Sequence, residues 1–102
     1  MNQDNQINRL GLDKLKGASM IEFGATWCGY CQAAQPLITE ALAHCPLVTH
    51  IKIEDGKGQQ LGRTYEVKLW PTLIFLNDGT EVMRLVRPTD TQVISDALSK
   101  LT

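Results

Sequence analysis

Residues 19–24 (SMIEFG) form a short apolar run bounded by Gly17 and Gly24, with Glu22 in its middle, and read as a buried strand. The pattern then turns helical from Cys31, with Ile38, Ala41, Leu42 and Cys45 at i, i+3, i+4 and i+7, until Pro46 stops it. Residues 47–54 (LVTHIKIE) follow, where Thr49, Ile51 and Ile53 alternate with His50, Lys52 and Glu54. A strand, a helix and a second strand in that order constrain the chain strongly. Two strands joined by such a helix lie parallel, and the crossover is right-handed.

The remaining pattern completes an α/β order. A short helix is expected over residues 59–65, then a hairpin with arms at 72–76 and 81–86 and a turn containing Asp78-Gly79. Thr89 and Gln92 have the spacing of a capping box, and Ile94, Ala97, Leu98 and Leu101 fill one face of a last helix. Residues 7–16 fit either a short edge strand with a turn of helix or one frayed helix. Pro36 falls inside the helix that follows the cysteines, where a missing donor predicts a kink over residues 32–36. The expected fold is a parallel crossover joined to an antiparallel hairpin, with helices on the faces of the sheet.

With 102 residues, 43% hydrophobic and 21% charged, the chain suits one globular domain spanning residues 1–102. Ten Lys and Arg against 11 Asp and Glu leave no basic excess for nucleic acid. The N-terminal MNQDNQINRLG has neither a basic nor an apolar leader region, and no apolar run approaches a membrane span. These readings give a cytoplasmic chain with no nucleic-acid or membrane partner. Three cysteines, only two of them close together, do not suit a secreted disulfide framework.

Cys28 and Cys31 sit where strand meets helix. Free N–H groups of the first helical turn and the positive end of the helix dipole converge there and favour a thiolate at Cys28. A thiolate attacks disulfides, and Cys31, one turn on, is placed to resolve the mixed disulfide. Two other readings stand beside this one. Both cysteines could be core residues, although Gly29 and the junction are not what packing asks for. Alternatively, Cys28, Cys31, His44 and His50 match the spacing of a two-cysteine, two-histidine zinc site. The helix between the pairs and Pro46 between the histidines argue against such a finger.

Taken jointly, FGATWCGYC, Pro36, and WPT before an apolar strand resemble the thioredoxin family across nearly the whole chain. The resemblance implies a thioredoxin fold, a central mixed β-sheet of four to five strands flanked by helices. It also implies a thiol–disulfide oxidoreductase that reduces protein disulfides, with no cofactor beyond its own dithiol. Cys28 would be the exposed nucleophile and Cys31 the buried resolving thiol. Pro71 would be a cis-proline facing them, and Trp27, Gly29, Tyr30 and Trp70 would shape the docking surface with it. Glu22 stands where the family has a buried aspartate that manages the resolving thiol's proton. Flanked by Ile21 and Phe23, its pKa is expected to be raised by desolvation. An upstream disulfide reductase would recycle a monomeric protein.

Three departures from the family pattern carry consequences. Tyr30 replaces the usual proline and supplies an extra N–H beside Cys28, which predicts a more oxidising site. Arg87-Pro88 replaces a small residue and a glycine, and Arg87 reads first as an exposed charge and second as a stabiliser of the thiolate. Trp70 is bulkier than the usual aliphatic. Cys45 reads as a core residue and His50 as a plain strand histidine. The rival functions are an oxidase or isomerase, a glutaredoxin-like protein, and a non-catalytic binding adaptor.

Overall fold

The computed structural model describes residues 8–101. The elements run α1 (Arg9–Asp13), β1 (Ala18–Gly24), α2 (Gly29–Ala43), β2 (Thr49–Glu54), α3 (Gln60–Thr64), β3 (Thr72–Asn77), β4 (Thr80–Val86) and α4 (Thr91–Ser99). Among the described residues the sheet has four strands in the order β2-β1-β3-β4, with β1 parallel to β2 and the other two pairings antiparallel. The crossover and the hairpin are therefore both present. Residues 9–13 are helical, while Ile7, which opened that segment in the sequence reading, lies outside the described residues.

Strand periodicity sorts the core into two layers. Met20, Leu73 and Phe75 point to one face and pack with Ala34, Ile38 and Ala41 of α2 and Ile94, Ala97 and Leu98 of α4. Ile21, Phe23, Ile74 and Leu76 point to the other and meet Leu12, Leu61 and Tyr65. Glu22 shares its parity with Met20, so it is buried beneath α2 rather than facing water.

Three boundaries differ from the sequence reading. Helix α2 ends at Ala43, so Cys45 lies past its end, half-buried against the α2/α4 core; Pro46 disfavours helical backbone at the residue before it. The helix runs unbroken through Pro36. Strand β2 begins at Thr49 because residues 46–48 form a turn. The cap of α4 is Asp90, whose carboxylate accepts from the Val93 N–H, while Gln92 donates to Asp96. An aspartate is a stronger acceptor at that site than the threonine one residue earlier. No described helix is long and apolar enough to cross a membrane.

Candidate active site

The carboxyl end of β1 delivers the chain through Ala25 to Cys28, which caps α2. Cys28 has extended backbone, and its Sγ accepts from the Cys31 N–H at 3.2 Å. Gln32 closes the turn by donating from its backbone to the Cys28 carbonyl (3.0 Å) and from Nε2 to the Thr26 carbonyl (2.9 Å). An α-helix thus fixes both sulfurs relative to one another before any substrate arrives.

The two thiols are inequivalent. Burial pushes the Cys28 pKa up, but the Cys31 thiol, the backbone N–H groups of Cys31 and Tyr30, and the Arg87 charge together bring it below its usual value. Burial and the hydrogen bond to Cys28 push Cys31 up to about 11. Cys28 is therefore the thiol that ionises first, and Cys31 keeps its proton. Both residues are only 6% exposed, which corrects the expectation of an exposed nucleophile: Trp70 and Ala25 pack against them. With rising pH, iodoacetamide should label Cys28 well before Cys31. Mass mapping of the modified cysteine checks this, and equal labelling of the two at pH 7 would contradict it.

Exposed aromatics surround the sulfurs. Trp27 is 72% and Tyr30 60% exposed, and Trp27 meets Trp70 edge to face at 5.4 Å. The Trp70-Pro71 bond is cis. Trp70 Nε1 donates to Asp55 Oδ2 at 2.9 Å, so Asp55 orients the rim, a role the sequence pattern did not signal. A Cβ at Gly29 would meet open space, so that glycine keeps the surface low beside Cys28 without any internal steric need. A Cβ at Gly24, by contrast, would lie 2.7 Å from Cys31 Sγ, so the absent side chain there makes room for the sulfur.

Glu22 is 2% exposed and holds two partners: His50 Nε2 at 2.8 Å from Oε1, and Gln35 Nε2 at 2.7 Å from Oε2. Gln35 also donates to the Cys31 carbonyl (3.2 Å) and accepts from Lys52 Nζ (3.2 Å). Register explains the cluster, since His50 and Lys52 pair with Met20 and Glu22 across the parallel ladder and share their face. Burial raises the Glu22 pKa, but the bonds from His50 and Gln35 and the charge of Lys52 outweigh it, leaving a pKa below the usual carboxylate value. The expected rise is thus reversed, because desolvation was weighed without partners. His50 is likewise no plain strand histidine. Glu22 and Cys31 line a common cavity of about 340 Å³ with Gln35 and Lys52.

Arg87, read first as a surface charge, instead spans the rim. Its Nε donates to the Trp70 carbonyl at 2.7 Å, its guanidinium carbon lies 3.9 Å from the Tyr30 ring centroid, and its N–H donates to the Pro71 carbonyl at 2.9 Å. It does so with φ of 52°, a left-handed conformation that costs a side-chain-bearing residue about 1–2 kcal/mol. The zinc arrangement is not assembled. His44 caps the far end of α2, roughly 20 Å or more from Cys28 at 1.5 Å per residue, and His50 is bound to Glu22.

Comparison with known proteins agrees with this geometry. The thioredoxin family model matches residues 4–100. A thioredoxin of Chlamydia pneumoniae is 36% identical over 84 residues, covering 82% of this chain and 82% of its own. The structure of reduced thioredoxin 2 from Pseudomonas aeruginosa superimposes with a TM-score of 0.84 at 52% identity, covering 93% of this chain and 88% of that one. Oxidised mitochondrial thioredoxin 3 of Saccharomyces cerevisiae gives 0.78 at 26% identity, covering 88% and 84%.

Proposed function

This chain belongs to the thioredoxin family and is a thiol–disulfide oxidoreductase acting on protein disulfides, and from that premise we propose the part each site residue plays. The Cys28 thiolate attacks a substrate disulfide: a bond forms between the sulfurs, the substrate S–S bond breaks, and one substrate sulfur leaves as thiolate. Cys31 then loses its proton and attacks Cys28, expelling the second substrate thiolate. The substrate gains two electrons and the Cys28–Cys31 pair becomes a disulfide. The observation that carries this reading is the inequivalence of the two sulfurs: Cys28 caps α2 and its Sγ accepts from the Cys31 N–H at 3.2 Å, whereas Cys31 lies inside the helix and lines the cavity that Glu22 also lines.

Glu22 manages the Cys31 proton from the cavity they share, as a carboxylate whose two oxygens are held by His50 and Gln35 and whose depressed pKa makes its protonated form transient. Trp27, Gly29 and Tyr30, exposed beside Cys28, form the docking surface with half-buried Trp70, which packs against the cysteines, and with Pro71, buried next to it. The whole of residues 1–102 acts as one domain and as a monomer. An upstream disulfide reductase returns the electrons. The leftover third cysteine and the dithiol chemistry favour a reducing compartment, hence the cytoplasm.

Titrating the Cys28–Cys31 couple against a redox buffer, with alkylation and mass readout, tests the reading; a couple that never cycles would defeat it. The Tyr30 N–H and the Arg87 charge both stabilise the thiolate and with it the reduced form, which moves the couple in the oxidising direction. The variant Tyr30→Pro should therefore be more reducing, by ~30 mV for each ~1.4 kcal/mol of stabilisation lost. A variant potential equal to or above that of the parent would refute the role of this donor.

A further inference from the structure

We propose that Arg87 sets substrate preference, its unbonded guanidinium N–H groups seating a carboxylate that the substrate carries within a residue or two of the disulfide attacked by Cys28. This rests on the reading above, in which Cys28 is the attacking sulfur and Trp70, Pro71 and Tyr30 form the docking rim.

The guanidinium is fixed in place. Nε is committed to the Trp70 carbonyl and one π face covers Tyr30, so the group is clamped between the Trp70-Pro71 loop and the residue beside Cys31. Neither Nη atom has a hydrogen-bond partner among the described residues, and the ion pairs found there, Arg9–Asp13, His50–Glu22 and Arg84–Glu81, leave Arg87 without a carboxylate. A planar fork with its remaining donors free suits a carboxylate in particular. Being half-buried, the charge is also less screened than a fully exposed one.

Held against Tyr30, which stands between Gly29 and Cys31, Arg87 also acts with its charge on the Cys28 thiolate. On attack that negative charge passes to the departing substrate sulfur as the Cys28–S bond forms and the substrate S–S bond breaks. Arg87 is then left uncompensated in the mixed disulfide, and a substrate carboxylate restores the balance at that stage. The other flank of Trp70 adds to the same field. Lys57, Arg63 and Lys68 line a shallow pocket there, and its one carboxylate, Asp55, is already held by Trp70 Nε1.

The test compares two peptide disulfides identical except for Glu or Lys beside the attacked cysteine, assayed at low ionic strength as a ratio of kcat/KM. The ratio cancels whatever affects both substrates, including the reactivity of Cys28 and the folded fraction. The full chain should favour the Glu peptide roughly fivefold, the size of one well-placed, partly exposed charge pair. That preference should shrink toward unity in Arg87→Gln and in Arg87→Gly, the latter being at ease with the left-handed backbone, and also in ~1 M salt. A ratio near one in the parent protein, or one undiminished in both variants, overturns the proposal while leaving the Cys28 mechanism standing. Failure to reduce either peptide would instead overturn the mechanism and the proposal with it.

Discussion

Serine in place of Cys31 should give a protein that attacks a substrate disulfide once and stops, accumulating a mixed disulfide through Cys28. Cys31 is held one helical turn from Cys28, with its N–H 3.2 Å from the Cys28 sulfur, so resolution is intramolecular. Well-oriented intramolecular groups react as though present far above 1 M, whereas an external thiol at ~1 mM must replace the missing one. Steady-state reduction should fall by at least ~1000-fold, while a stoichiometric adduct appears on a non-reducing gel and by intact mass. Cys28→Ser should give neither turnover nor adduct, because a serine hydroxyl is not ionised under conditions where the thiol is. Trapping through Cys31 in the Cys28→Ser protein would reverse the assignment of the two roles. A Cys28→Ser protein that kept a partner interaction and its phenotype would favour the adaptor reading.

Gly79→Ala should destabilise the fold more than any comparable change at an open glycine. In the hairpin turn Asp78 and Gly79 both have positive φ, 51° and 81°, which is why the Asp-Gly pair appears there. A Cβ on Gly79 would also collide with the Asp13 carbonyl oxygen at the end of α1, and that neighbour is backbone, which cannot rotate away. The left-handed conformation costs about 1–2 kcal/mol, and displacing α1 from the turn adds a similar amount. We expect a loss of about 3 kcal/mol, seen as a fall in Tm of roughly 15 °C. Gly17→Ala supplies the control, since Gly17 has φ of 75° but nothing within 4 Å of its Cβ position. It should lose only the conformational part. Equal losses in the two variants would show that the approach to Asp13 contributes nothing.

The Asp-Gly turn illustrates how far the chain is legible as a string. Its residues announce a hairpin because two positive φ angles restrict the choice of residue wherever they occur. That a helix terminus rests against the same glycine depends on where α1 lands, and no local pattern carries that information. The α2 boundary shows the same division at short range. Periodicity extended the helix to Cys45, and the conformational limit imposed by Pro46 ended it earlier.

Hydrophobic period, turn chemistry and the spacing of Cys28 and Cys31 determined the crossover, the hairpin and the strand-to-helix position of the dithiol. All of these follow from short-range sterics and periodic burial, which a linear sequence records directly. The charge states and partners around that dithiol were decided in three dimensions. Glu22 carries a depressed rather than a raised pKa because parallel register brings His50, 28 positions away, to its carboxylate. Arg87 reaches the Trp70 carbonyl, 17 positions distant, because β4 ends beside the start of β3. Electrostatic and hydrogen-bond energies depend on distances between atoms rather than on separation along the chain, so only the folded structure fixes their magnitude and sign.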